Sequence, residues 1–171
     1  MKIIEAMKRV KANKEKIADL QAKLAQYCAN LSFETLMYGA EQPAKIREWL
    51  QSCTDVSQEN IRLLAAIQRT NIATQVSITL GDKIVTKSVA EWVWRRREYA
   101  GLDLKTWQML TDRNLKEGQG QNSQGTPVEV KIVRHFDPVQ RDKMVAMFKS
   151  EPHEIDSALE VINAVTDLVD A

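Results

Sequence analysis

Arg69-Thr70-Asn71-Ile72-Ala73-Thr74-Gln75-Val76-Ser77-Ile78-Thr79-Leu80-Gly81-Asp82-Lys83-Ile84-Val85-Thr86-Lys87-Ser88 is the stretch whose reading decides the fold. Its first residues end a helical periodicity, and from Gln75 onward β-branched and polar residues alternate. Gly81-Asp82, set between runs rich in Val, Ile and Thr, predicts a β-hairpin over 75–86, because Gly accepts the positive φ of a primed turn. Ser88 and Glu91 then match a capping box, in which the hydroxyl takes one exposed amide and the carboxylate returns to the Ser amide. A small sheet between helices is the expected centre of the chain.

Working outward toward the N-terminus, Ile3, Val10, Ile17, Leu24 and Leu31 recur every seven residues, and Ala6, Leu20 and Tyr27 follow three residues after most of them. This is a coiled-coil seam. Asn13 falls on it where a hydrophobe is expected, and a polar residue there fixes register or partner number at some cost in stability. Ile46, Trp49, Leu50, Cys53, Val56, Ile61, Leu64 and Ile67 mark a second stripe, interrupted in turn by Asn60. Segments 1–31 and 43–72 are therefore expected to form long antiparallel helices joined by a short link. The seams suit a hairpin within one chain and a coil between copies equally well. Ser32, Gly39 and Pro43 mark the link, with Pro43 fitting the first turn of the second helix. Phe33, Leu36, Met37 and Tyr38 are unusually apolar for a solvated loop, which predicts a short helix or a contact surface.

Toward the C-terminus, a helix is expected over 88–116, with Trp92, Arg96, Tyr99, Leu102, Trp107 and Leu110 among its large side chains. Residues 117–126, rich in Gly, Gln, Asn and Ser, predict a mobile loop. Val128, Val130 and Ile132 alternate with Glu129 and Lys131, so a strand is expected over 127–136. It is expected to join the hairpin as a third antiparallel strand, since a lone two-stranded hairpin is marginal. Asp137-Pro138-Val139-Gln140 starts a last helix over 138–170, with Pro152 predicting either a kink or two helices, the second capped by Ser150. The fold class is α+β and mainly α: long antiparallel helices with a small three-stranded antiparallel sheet, in the order α-α-β-β-α-β-α, as a single domain over 1–171.

A hydrophobic fraction of 44%, a charged fraction of 27% and a mean hydropathy of -0.36 fit neither a membrane-embedded nor a disordered chain. Net charge is +1, so no global field draws the chain to nucleic acid or an anionic bilayer. The charge is nevertheless segregated. Lys2, Lys8, Arg9, Lys11, Lys14, Lys16 and Lys23 crowd the first helix, whereas the segment 151–171 carries Glu151, Glu154, Asp156, Glu160, Asp167 and Asp170 without a Lys or Arg. The two ends are expected to pack together, within a chain or between copies. No signal peptide or transmembrane segment is expected. Cys28 and Cys53, each on an apolar stripe, predict buried free thiols.

Signs of chemistry are few. His135 and His153 have no Cys, Asp or Glu at a metal-ligand spacing, and no phosphate loop, nucleophile elbow or zinc-binding His pair occurs. The expectation is a protein without a cofactor, a metal or enzymatic activity. Trp92, Trp94, Arg95, Arg96 and Arg97 form the one conspicuous cluster, and Trp94, Arg95 and Arg97 are the candidates for stacking on bases and pairing with phosphates. Against this, the rest of the chain lacks a basic footprint, and the Trp rings suit packing against the sheet or a neighbouring element.

Arg69-Thr70-Asn71 with Ala73-Thr74, the Gly81 hairpin, the Arg-rich helix at 95–98, Val130-Lys131, Asp137 with Val139-Gln140, Ile155-Asp156, Ile162-Asn163 and Thr166-Asp167-Leu168 together resemble the septicolysin-like family of small bacterial and phage-encoded proteins. The resemblance spans nearly the whole chain. It implies a small helical protein with a hairpin region, of virion or bacterial cytoplasmic location, and its family name implies membrane-active pore formation as an alternative. The expected role is structural: self-association, or docking into a larger complex such as a bacteriophage tail, collar or capsid. Phe33, Leu36, Met37 and Tyr38 and the seam residues Ile3, Val10, Ile17 and Leu24 are the candidate protein interface. The expected partners are further copies of the chain or other virion proteins.

Overall fold

A computed structural model describes residues 1–169. Asp170, counted above in the acidic tail and in the helix expected over 138–170, lies outside the described residues. The chain is mainly helical with small antiparallel sheets: α1 (Ile3–Tyr27), α2 (Gln42–Ala73), β1 (Gln75–Leu80), β2 (Lys83–Ser88), α3 (Val89–Trp94), α4 (Ala100–Gln108), β3 (Gly118–Gln121), β4 (Pro127–Val130) and α5 (Pro138–Val165). Residue contacts gather into two units, one of Met1–Thr74 with the chain from Leu159 onward, the other Gln75–Ala158.

In the first unit α1 and α2 lie side by side as the seams require, paired within the chain. Ile3, Ala6 and Val10 of α1 pack with Leu63 and Ile67 of α2, and Leu168 leans on the same cluster. The buried positions of α2 include Gln42, Trp49, Val56, Leu63 and Thr70, a seven-residue repeat, together with Asn60 and Ile67. This corrects the expected second stripe: Leu50, Ile61 and Leu64 stand off the seam and are exposed. Asn13 and Asn60 meet inside it, Asn13 Nδ2 donating to Asn60 Oδ1 at 3.0 Å. Arg9 reaches Glu59 at 2.9 Å beside them.

The segregated termini pair within the chain. Ile3 N donates to the Thr166 carbonyl at 3.0 Å and Leu168 N to that of Met1 at 2.9 Å. Lys2 Nζ donates to Asp167 at 2.6 Å and to the Val165 carbonyl at 2.8 Å, placing a cation at the negative end of α5. Thr70, fully buried, donates its hydroxyl to the Ala66 carbonyl at 2.8 Å and accepts the Val169 amide at 3.0 Å. The Arg-Thr-Asn block thus contributes a structural tie between the end of α2 and the closing segment.

In the second unit the expected hairpin forms, with Leu80 opposite Lys83 and Gln75 opposite Ser88. Gly81 at φ 59° supplies the left-handed turn residue. Val76 and Ile78 point to the buried side while Ser77 and Thr86 bond across the exposed face at 2.7 Å. The capping box closes with Ser88 N donating to Glu91 Oε2 at 2.7 Å and Glu91 N to Ser88 Oγ at 3.3 Å. Trp92, with no exposed surface, donates its indole N–H to the Val76 carbonyl at 2.9 Å.

Three expectations about the strands are corrected here. The sheet is not three-stranded: β1–β2 and β3–β4 are separate two-stranded antiparallel sheets. The hydrogen-bonding edge of β4 is taken by β3, and a polar composition concealed β3 because Gly120 is required by contact rather than by a turn. A Cβ there would lie 2.7 Å from Val130 Cγ2. Segment 117–126 is accordingly a strand and a tight turn, held by Asn122 Oδ1, which accepts the amides of Gln124 and Thr126 at 3.0 and 2.9 Å. The strand expected over 127–136 ends at Val130; beyond it Arg134 forms a two-pronged pair with Asp112, both contacts at 2.7 Å.

The helix expected over 88–116 ends at Gln108, and Arg113 and Asn114 adopt left-handed φ values of 54° and 60° that no helix continues through. Between α3 and α4 it passes through a π-helical turn at Arg95–Tyr99. Asp137 caps α5 as expected, its carboxylate accepting the Val139 amide at 2.8 Å. Pro152 lies inside one helix rather than between two, and Ser150 Oγ donates back to the Met147 carbonyl at 3.1 Å instead of capping a new helix. Cys28 is exposed, since it follows the last residue of α1; Cys53 is half-buried, and both thiols are free.

Candidate protein-interaction surface

The link between α1 and α2 is an ordered turn with an apolar outside. Gln42, at the start of α2, donates Nε2 to the Tyr27 carbonyl at 2.8 Å and accepts the Tyr38 amide at 3.2 Å. That one side chain ties the end of α1 to the end of the link. Tyr38 stands edge-on to Tyr27 at 5.8 Å and to Trp49 at 5.6 Å, and Tyr27 lies 6.0 Å from Trp49. Edge-to-face rings at these separations are favourable beyond the area they bury. Nearer the tip, Glu34 accepts the Leu31 amide at 2.8 Å and Gly39, at φ 53°, turns the chain into a short 3-10 segment, Gly39–Glu41.

On this base Phe33 is 81% exposed and Met37 68% exposed, with Leu31 beside them in sequence also exposed. Leu36 and Tyr38 are half-buried. The structure thus divides the expected interface. Phe33 and Met37 present apolar surface to water, whereas Tyr38 packs against Tyr27 and Trp49. Ile3 and Val10 face α2 and are buried, and Ile17 and Leu24 are half-buried in α1. The correction for Ile3 and Val10 follows from the intrachain pairing, which fills the seam those residues were expected to offer a partner.

The Arg-rich cluster is arranged differently from a phosphate-binding surface. Arg95 donates Nε and Nη2 to the two oxygens of Glu151 at 2.6 and 2.9 Å, and Nη1 to Asp103 at 2.5 Å. Its guanidinium lies 5.4 Å from the centre of the Phe148 ring. Glu151 is 1% exposed. Hydrogen bonding to Glu151, and secondly to Asp103, holds Arg95 charged well above its ordinary range. Two carboxylates on one guanidinium leave no positive charge for a phosphate. Arg96 is matched by Asp156 through contacts of 2.8 and 2.9 Å, and hydrogen bonding to Arg96 lowers the Asp156 carboxyl below its usual value. Of the nucleic-acid candidates, Arg95 is therefore enclosed in a neutralising network, while Trp94 and Arg97 remain exposed. Lys87, Glu91, Trp94, Arg95 and Tyr99 line an open hollow of about 530 Å³ over the π-helical turn.

Sequence reasoning missed Glu151 as the partner of Arg95. The signal was present: Phe148, Glu151 and Ile155 fall at i, i+3 and i+7, which puts a carboxylate on the apolar face of α5. Among the described residues no group of three or more His, Cys, Asp or Glu is placed to hold a metal ion, and no helix is long and apolar enough to cross a membrane. Compared with models of protein families, with curated proteins and with solved structures, the chain matches none.

Proposed function

We propose that this chain is a non-enzymatic assembly protein that acts by self-association or by docking into a larger complex. The observation that carries the reading is the pairing of exposed Phe33 and Met37 with a base fixed by Gln42, Tyr27, Tyr38 and Trp49. Leu31, Phe33 and Met37 put three exposed apolar side chains into one short link, and a group of this kind marks a protein contact more than a single exposed apolar residue does. Because the base of the link is already tied by Gln42 and by the contacts among Tyr27, Tyr38 and Trp49, less ordering entropy is left for a partner to offset. The septicolysin-like resemblance extends the proposal to a bacteriophage virion component, with other virion proteins or further copies as partners.

Light scattering across a concentration series tests the proposal. The expected result is a mass that grows with concentration in the native chain and grows less when Phe33→Glu and Met37→Glu are combined. Identical profiles for the two overturn the role of the tip. A dye-release assay with liposomes separates this reading from the membrane-active alternative: leakage that rises with protein concentration favours pore formation over assembly.

A further inference from the structure

We infer that the outer face of α2 is a homodimer surface, on which two copies pair antiparallel about a two-fold axis at Ile61. The inference rests on the assembly reading and names the partner as a second copy of the chain.

Leu50, Ile61 and Ile72 are 52%, 67% and 66% exposed. They stand eleven residues apart, close to three whole helical turns, so they stack along one line of α2. Thr54, Ser57, Gln58, Leu64, Ala65 and Gln68 complete that face. No Asp, Glu, Lys or Arg falls on it across six turns; Asp55, Glu59, Arg62 and Arg69 all lie around the other sides of the helix. Depletion of charge with retained apolar anchors is what marks the centre of a protein interface off from ordinary surface.

The order of residues on the face says what covers it. Reading outward from Ile61 in either direction, four residues away stands a small residue (Ser57, Ala65), seven away an uncharged polar one (Thr54, Gln68), and eleven away a large aliphatic (Leu50, Ile72). At these three pairs of positions the face repeats its polarity on either side of Ile61, while Leu64 has Gln58 at its mirror position. An isologous contact places each position of one copy against its mirror position in the other. Antiparallel pairing about Ile61 therefore sets Ile61 on Ile61, Ser57 on Ala65, Thr54 on Gln68 and Leu50 on Ile72, with Leu64 beside Gln58. Small residues beside the axis let the two helices approach, and the anchors meet at the centre and both ends. A foreign partner gives no reason for the symmetry.

Charge placed on the face tests both the surface and its direction, with mass read by light scattering on the full chain and helicity checked by circular dichroism. I61K and I61E should each be monomeric alone and should re-form a dimer when mixed in equal amounts. L50K combined with I72E should stay dimeric, because the two new charges meet their opposites across the antiparallel axis, whereas L50K combined with I72K should be monomeric. A native chain that is monomeric up to its highest soluble concentration overturns the inference, as does an L50K/I72E variant no more dimeric than L50K/I72K. Phe33→Glu with Met37→Glu should leave this dimer intact, so failure of the loop tip and failure of the α2 face are separate results.

Discussion

Asn13 and Asn60 face each other across the α1–α2 seam, amide nitrogen to amide oxygen at 3.0 Å, both buried. Asn13 also reaches Glu59 at 3.2 Å. Any sliding of one helix past the other would set each amide against aliphatic neighbours, at the desolvation cost of an unbonded polar group. The pair therefore fixes the register of the hairpin.

Replacing one partner should be worse than replacing both. Asn13→Leu leaves the Asn60 amide buried without its mate and should lower unfolding stability by about 1–3 kcal/mol, whereas Asn60→Leu leaves Asn13 its bond to Glu59 and should cost less. The double replacement should recover most of the loss. Urea denaturation of the four proteins in a double-mutant cycle measures the coupling; additivity within about 0.5 kcal/mol would show the two side chains to be independent.

The Arg95–Glu151 pair should be similarly asymmetric. Arg95→Ala strands a carboxylate that is 1% exposed and should destabilise by about 3 kcal/mol, the low end for a broken buried pair because the guanidinium keeps access to water. Arg95→Met with Glu151→Leu should cost much less, since it removes the charge as well as its partner. Chemical denaturation monitored by circular dichroism distinguishes the outcomes, and equal losses would deny Glu151 its dependence on Arg95.

Stability should fall on the acid side. Hydrogen bonds from Lys143, Arg134, Arg96 and Lys2 lower the carboxyl groups of Asp82, Asp112, Asp156 and Asp167 respectively. A carboxyl whose folded value lies below its unfolded one contributes fully above the unfolded value, near pH 4, and loses that contribution as pH drops through the folded value. Thermal melts should be level from about pH 5 to 7 and decline below about pH 4. Asp112→Asn with Asp156→Asn should flatten the decline, and added salt should reduce it, because these pairs are exposed. An unchanged acid slope in the double variant would mean that other carboxyls govern it.

The helical hairpin, β1–β2 and the Ser88 cap were legible because each is dictated locally, by heptad spacing, a Gly at positive φ or a box of four residues. Asn13 and Asn60 were visible one at a time, but their meeting depends on the pairing of two helices. The β3–β4 sheet was hidden because Gly118, Gln119, Gly120 and Gln121 carry no strand preference of their own, and the ladder forms through Val128 and Val130 on the partner strand. Leu50 and Ile61 were read into the core because periodicity ranks residues by hydrophobicity, and an outward apolar face one step off the seam has the same signature. The tip at Phe33 and Met37 was readable as apolar chain in a link, but its base was not, since Gln42 and Trp49 belong to the next helix.

Trp49 is 8% exposed in the first unit and Trp92 has no exposed surface in the second, where its indole N–H is bonded to a carbonyl. Each unit thus carries its own native fluorophore in a dry environment, while Trp94, 59% exposed, already emits from water. Variants retaining a single indole, Trp49 or Trp92, would turn emission wavelength into a separate optical gauge for each half, so that their melting can be followed side by side in one protein.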